Sequence, residues 1–377
     1  MAGNRYITPQ QLEQALLTPD LTDPFEAHAV GMTAELVLKR LQHRGWPAAT
    51  PLRGPKVVSP QDNYGLLGYS REALILDSEQ ARWVDSQKLL RTHTSCLLPP
   101  ALRAAAAKRW PGETLLLAAP GITFRRDVRD RWHCTEPHQM DVWVLGGPQL
   151  SSRQQLMRLV GDILEGTISG ARWLHRERPS AYTDRGVEIN VIRDDRAIEV
   201  MAGGCIARSL LEHLGIDPAR HGGLALSVGL DRLTMLCKGI PDIRLLRDPD
   251  ERAAAQMHDL LPWRPLPRLP AITREVSVAM AAGHSLEVLT ERILQAAGAC
   301  ASWVEEITLR GRWPISELPQ AAIEQLGLVP GQENLLLRIT LRDATQPLPV
   351  EQANALYDVL EDALHEGFPG GSYRLER

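Results

Sequence analysis

No stretch of the sequence approaches the ~20 consecutive apolar residues that a membrane-spanning helix needs, and the opening MAGNRYITPQQLEQALL has no basic segment followed by an apolar run. A membrane partner and a secretory leader are therefore not expected, and the reading is of a cytoplasmic protein. The five cysteines, Cys96, Cys134, Cys205, Cys237 and Cys300, stand singly, without a CxxC pair or a framework spacing. That scatter argues against a structural zinc and for free thiols in a reducing compartment. Net charge is small, at −4. A polyanion would have to be met by local patches and not by the field of the whole molecule, and nothing points to DNA. Lysine is scarce: Lys39, Lys56, Lys88, Lys108 and Lys238 are the only ones among 42 basic residues. Such an arginine excess suits phosphate sites, and codon usage alone also produces it. Internal repeats and low-complexity tracts are absent.

What is present is an ordinary globular composition, 44% apolar and 23% charged over 377 residues, enough for two domains with their own cores. The clearest punctuation is WRPLPRLP, residues 263–270, with three prolines in eight positions. It divides the chain into a domain over 1–262, a linker over 263–270 and a second domain over 271–377. Upstream, AELVLKRLQH (34–43) has the spacing of an amphipathic helix. The segments 140–145, 187–192 and 198–201 read as strands, and Asp194-Asp195 supplies the turn of an antiparallel hairpin between the last two. Helices are expected at 154–168, 207–214 and 230–236. The picture is α+β, an antiparallel sheet flanked by helices.

Downstream, a strand is expected over 272–280, then a helix capped by Ser285 with Leu286, Leu289, Ile293 and Ala297 as its stripe. A strand near 304–309 follows, then an insertion. Leu335, Leu337, Ile339 and Leu341 alternate as a strand, and Ala353, Leu356, Leu360 and Leu364 form one helix face. A last short strand, SYRLER (372–377), completes a βαββαβ pattern of the ferredoxin-like kind.

Three segments put His, Arg and carboxylates beside turn signals and outside any apolar period: LLRTHTSC (89–96), FRRDVRDRWHCTEPHQMD (124–141) and GGLALSVGLDRLTML (222–236). Taken singly, the second also reads as a solvated loop and the third as a core helix with a surface arginine. In this order they resemble class II aminoacyl-tRNA synthetases and, within them, the catalytic part of phenylalanyl-tRNA synthetase, particularly its single-chain organellar form. That family's RTHTS stands here at Arg91–Ser95. Its second motif, YRRDxxDxxHxxxFHQxE, stands at Phe124–Asp141 without a gap, and its third, AFGxGxERLAM, at Ala225–Met235. Between them EVLGCG becomes Glu199–Gly204, and the resemblance continues through GIPDIRLL into a second domain similar to the family's ferredoxin-fold anticodon-binding domain.

The resemblance implies a ligase that joins an amino acid to ATP as an aminoacyl-adenylate, with Mg2+, and then transfers it to tRNA. Such chemistry neutralises charge growing on the α-phosphate and holds two anions in line, work for which arginine forks are suited. By resemblance Arg125 takes the α-phosphate and carboxylate, His133 lies beside the triphosphate or adenylate, and Arg232 stacks on adenine or meets the γ-phosphate. Asp127 would meet the adenine amino group and Glu199 the Mg2+, while Pro137 stands where the family has a phenylalanine over adenine. His93 and Ser95 would line the amino-acid end together with Ala225, and Gln139 and Asp141 would receive the α-ammonium. Asp141 replaces the family's glutamate.

The pattern breaks where the family holds the substrate ring. A Phe-Pro-Phe segment shortly after an RW dipeptide becomes Arg178-Pro179-Ser180 after Arg172-Trp173. A guanidinium and a hydroxyl in place of two rings imply a pocket for a polar or acidic side chain, and phenylalanine is not assumed. Against this stands an Arg178 that points outward or pairs with Glu177 or Glu188. Leu98, Leu226 and Ser227 are further departures. In the second domain Arg310, Arg312, Arg338, Arg342 and Arg374 are candidates for RNA contact, and equally for solvated sheet-surface arginines. Two other readings remain: an activating enzyme that loads a non-standard amino acid onto a carrier protein or small amine, and a non-catalytic RNA-binding regulator.

Overall fold

Capping chemistry fixes the first helices. Thr8 caps the helix Pro9–Leu17: its hydroxyl accepts from Gln11 N at 3.2 Å, the Gln11 side chain accepts from Thr8 N at 2.7 Å, and Pro9 occupies the first turn, where no N–H is needed. The next helix, Ala29–His43, starts five residues before the sequence reading placed it, because His28 is an uncommon cap whose ring nitrogen accepts from Val30 N. Its buried stripe is Ala29, Val30, Thr33, Ala34, Val37 and Leu41. Ser152 caps Arg153–Thr167, which buries Leu156, Leu159, Val160, Ile163 and Leu164.

The computed structural model describes residues 6–70, 80–107, 113–266, 269–343 and 345–367. Its main sheet has seven strands. In chain order these are β1 (Ala49–Pro51), β4 (Leu115–Ile122), β5 (His138–Gly146), β6 (Trp173–Glu177), β7 (Thr183–Arg193), β8 (Arg196–Ile206) and β9 (Gly222–Gly229). The short strands β2 (Val57–Val58) and β3 (Leu89–Leu90) pair separately. The spatial order is β1-β4-β5-β9-β8-β7-β6, antiparallel throughout except for β1 on β4. The β7–β8 hairpin turns at Asp194 and Asp195, both left-handed at φ 49° and 59°, as a two-residue turn of the primed type requires.

Strand β5 is buried along its whole length. Because side chains alternate, Gln139, Asp141, Trp143 and Leu145 face one side and Met140, Val142 and Val144 the other. Trp143 and Leu145 pack with Leu98, Leu102, Leu210 and Leu211, from the helices Leu98–Ala107 and Arg208–His213. The helix Leu230–Lys238 lies against β5 and β8, and Ala29–His43 packs on it and on Arg153–Thr167. Helices thus lie against both sides of the sheet, and Gln139 and Asp141 form a polar row on the same face as Trp143 and Leu145.

By compactness the chain falls into two units, Met1–Arg125 with Glu136–Arg247 and Ala253–Arg264, and Arg126–Thr135 with Asp248–Arg252 and Pro265–Arg377. The second holds a three-stranded antiparallel sheet of β10 (Ile272–Ala281), β11 (Val304–Pro314) and β12 (Gln332–Leu341) in the order β10-β12-β11. The insertion before β12 contains a short helix, Gln320–Leu326. Leu335, Leu337, Ile339 and Leu341 form the core with Leu289 and Ile293 of the helix Leu286–Ala297 and Leu356 and Leu360 of Val350–Leu364. The expected final strand and Arg374 lie outside the described residues. No described helix is long and apolar enough to cross a membrane.

Candidate active site

The first cluster is built on β5 and on the turn of 3-10 helix Thr94–Leu97. Asp141 is fully buried, and hydroxyls cover its carboxylate: Thr94 Oγ1 and Ser95 Oγ each donate at 2.7 Å and Gln139 Nε2 at 2.9 Å, with Ser227 Oγ and Trp143 Nε1 at 3.4 Å. Burial pushes the Asp141 carboxyl above the usual carboxylate range against the pull of those donors. The other end of Gln139 holds Arg125: Oε1 accepts from Arg125 Nη2 at 3.0 Å, and Thr92 O accepts from Arg125 Nε at 2.6 Å. A cation and a shielded anion are thereby linked through one amide, an arrangement that can hold a zwitterion between them.

Above this row sits His93. Both of its ring nitrogens are buried without a hydrogen-bond partner, and burial together with the Arg125 charge pushes its pKa down to about 3, so the imidazole is neutral. Its ring stacks on Tyr69 at 6.1 Å and meets Tyr64 edge-on at 5.9 Å; Tyr69 lies 6.4 Å from Tyr182, which in turn stacks on Trp143 at 5.6 Å. An aromatic row therefore runs beside Asp141. Burial pushes the Tyr182 phenol up to about 12.

The second cluster is on β7, β8 and the start of Leu230–Lys238. Arg232 Nη1 donates to Glu199 O at 3.0 Å and lies 3.8 Å from the Glu199 carboxylate. Glu199 Oε1 also accepts from Arg178 Nη1 at 2.6 Å, and the same nitrogen is 3.2 Å from Glu188 Oε2. The Arg232 helix is anchored from beneath by a buried ionic group. Asp231 Oδ2 accepts from His138 N and from Arg247 Nη2, each at 2.9 Å, and Leu21 N donates to His138 Nε2 at 2.9 Å. Burial would raise the Asp231 carboxyl, but Arg247 and His138 hold it far below the usual range.

Over residues 13–257 the chain matches the family described as tRNA synthetases class II core domain (F). The chain belongs to this family. It is similar to the phenylalanine–tRNA ligase alpha subunits of Haemophilus ducreyi (28% identical over 232 residues, 61% of this chain and 67% of that one) and Lysinibacillus sphaericus (30% over 217 residues, 54% and 61%). A third such subunit, from Prochlorococcus marinus strain NATL2A, is 27% identical over 255 residues, 66% of this chain and 73% of that one. The chain thus spans 61–73% of the length of these subunits. Among solved structures it is similar to pyrrolysyl-tRNA synthetase from Desulfitobacterium hafniense, at 20% identity and a TM-score of 0.46, over 63% of this chain and 77% of that one.

Within this class II core the structure gathers His93, Ser95, Arg125, Gln139 and Asp141 into one site and Glu199 with Arg232 into another. Asp127 and His133 belong to the second compact unit. There Asp130 caps the turn, accepting from Trp132 N and His133 N, and its carboxylate lies 2.9 Å from His133 Nδ1. Pro137 contributes its carbonyl, which accepts from Thr123 N and Oγ1. Ala225 is fully buried opposite Trp143 and serves as core.

Three of the expected site residues are already engaged within the protein, Arg178 by the pairing with Glu188 that the sequence left open. Arg178 is no free cation in a pocket: its side chain is half exposed and neutralised by Glu188 and Glu199, and Ser180 is exposed with its hydroxyl 2.9 Å from Thr183 Oγ1. The Asp141 carboxylate, one methylene shorter than glutamate, is capped by Thr94, Ser95 and Gln139. The Glu199 carboxylate, expected to meet an ATP-borne Mg2+, is shared by the guanidiniums of Arg178 and Arg232. Sequence reasoning did not pick out Thr94 or Tyr182, and it named Glu188 only as one possible partner of Arg178. Thr94 lay in plain view inside RTHTS, whereas Tyr182 and Glu188 become neighbours of the site only through strand pairing.

Proposed function

We propose that this protein activates an amino acid with ATP, forming an aminoacyl-adenylate and diphosphate, and transfers the aminoacyl group to tRNA. The observation that carries the reading is the Arg125–Gln139–Asp141 relay under a hydroxyl layer. The amino group of a zwitterion finds acceptors in the hydroxyl oxygens of Ser95 and Thr94, polarised by the buried Asp141 carboxylate, while its carboxylate meets Arg125. The carboxylate attacks the α-phosphorus; Arg125, rigidly held by Thr92 O and Gln139, faces the charge that grows there, and no side chain needs to take up a proton. When bound with ATP, Mg2+ supplies further neutralisation of the phosphates. Family membership supports the same chemistry.

The side chain of the amino acid is uncharged in this reading. Arg178 is already neutralised, and the row of Tyr69, neutral His93, Tyr182 and Trp143 offers an aromatic wall with polar edges, where a buried charge would cost several kcal/mol. An acidic side chain, one of the polar kinds the bare sequence allows, loses its partner.

One observation favours a different acceptor. On the second unit Arg312 pairs with Glu333 at 2.7 Å, Arg338 with Glu275 at 2.7 Å and Arg342 with Glu305 at 2.5 Å, so these three cations, read as an RNA-contacting face, are each met by a carboxylate. Incubation with ATP, a panel of amino acids and unfractionated tRNA, followed by a search for a base-labile aminoacyl ester on RNA, separates the readings. Charged tRNA supports the ligase. Adenylate formation without charging moves the acceptor to a carrier protein or small amine, and neither product leaves the RNA-binding regulator.

A further inference from the structure

Two ionised carboxylates on neighbouring strands repel unless a cation stands between them. Glu188 and Asn190 are two residues apart on β7 and share a face, and Asn190 is paired in register with Glu199 on β8. Asn190 Nδ2 donates to Glu188 Oε1 at 2.8 Å, which turns the other oxygen of Glu188 toward Arg178. One nitrogen, Arg178 Nη1, then lies 2.6 Å from Glu199 and 3.2 Å from Glu188. A row results in which carboxylates and guanidiniums alternate, Glu188, Arg178, Glu199, Arg232, and its charges cancel.

The backbone that carries Arg178 is fixed independently of these ion pairs. Arg178 N donates to Gly186 O at 2.9 Å, extending the β6–β7 ladder. A Cβ on Gly186 would run into the Arg178 carbonyl, so this approach of the two chains requires glycine there. Pro179 follows at once and restricts Arg178 to extended backbone. A guanidinium cannot give up its proton at any working pH, so the charge delivered to this point is permanent.

We propose that Arg178 is a tethered cation occupying the place between Glu188 and Glu199 that a divalent ion would otherwise take, so that this chain holds no metal of its own there. Any Mg2+ the protein uses then arrives with its nucleotide. The occupancy rests on the ion pairs alone; only the statement about nucleotide rests on the ligase reading.

The test is Mn2+ binding to nucleotide-free protein, followed by the loss of the free-ion EPR signal. Wild type and R178K are expected to bind no Mn2+ that depends on Glu199. R178A and R178Q are expected to gain one equivalent, at least tenfold tighter than any wild-type binding, and to lose it again when E188Q is added; R178Q retains hydrogen-bonding capacity and guards against a folding defect. A wild-type Mn2+ site abolished by E199Q overturns the proposal. So does an R178A and R178Q pair that fold, by thermal melting, yet gain no site. Because neither ATP nor an amino acid is present, this result is independent of whether the protein is a ligase.

Discussion

Replacing Asp231 by asparagine removes one charge from a deeply buried ionic group of the class II core and changes almost no volume. Asp231 is 2% exposed and receives His138 N and Arg247 Nη2, so it ties β5 and the turn Ile243–Arg247 to the first turn of the helix that bears Arg232. With asparagine there, the amide oxygen can take the place of Oδ2 as acceptor, but Arg247 and the His138 ring lose the anion between them. Removing one partner of a buried pair costs about 3–5 kcal/mol. For a urea m-value of about 3 kcal/mol per M, the unfolding midpoint falls by about 1–1.7 M. The pH dependence has a definite sign. The folded-state pKa of Asp231 lies below its unfolded value, so its contribution is complete above about pH 4 and is lost as pH falls below that toward the folded value. The wild type should therefore lose stability more steeply than D231N on acidification below about pH 4. Urea titrations followed by tryptophan fluorescence at pH 7 and pH 3.5 measure both effects. A D231N midpoint within about 0.3 M of wild type at pH 7, given the same m-value, would refute the reasoning.

Two further perturbations test the site and the sheet. His93 is held neutral with a pKa of about 3 against an ordinary 6.5, so its contribution to stability is complete above pH 6.5 and declines as pH falls from there toward 3, and H93F should show a smaller loss of urea midpoint between pH 7.5 and pH 5 than wild type. His28, lowered to about 4 chiefly by burial, leaves part of that acid sensitivity in place, and an unchanged loss in H93F would mean that His93 titrates freely. Gly203 on β8 faces the backbone of Ala225 and Leu226 so closely that a Cβ would force β8 and β9 apart; G203A should cost about 3 kcal/mol in thermal or urea unfolding. G161A is the control, since a Cβ at helical Gly161 meets nothing within 4 Å, and it should be neutral or stabilising by up to about 1 kcal/mol.

Much of the fold was readable because local rules and global packing agree. The alternation over 335–341 became β12 with its four apolar residues fully buried, Ser285 stands at the N-cap of Leu286–Ala297 although its side chain makes no capping bond, and Asp194-Asp195 turns the β7–β8 hairpin through two left-handed residues. Strands β4 and β9 were not read as strands. Both are buried on both faces, so their LLLAAPGI and GGLALSVG carry no period of two, and Pro120 in β4 is tolerated because β1 pairs only with residues 116–118. At the site, motif spacing put Arg125, Gln139 and Asp141 in one continuous segment, and the structure links the three through Gln139. It could not show that hydroxyls from a different turn cap Asp141, nor decide that Arg178 pairs with Glu188 and meets Glu199 as well. Those contacts depend on the register of β7 against β8, which lies beyond any local pattern.

Amino-acid-dependent exchange of labelled diphosphate into ATP, without tRNA, tests the activation chemistry most directly. The account predicts exchange stimulated by at least one amino acid with an uncharged side chain and not by aspartate or glutamate, and a loss of about 100- to 1,000-fold in R125A with the fold intact. Exchange with no amino acid, or an R125A variant as active as wild type, would contradict it.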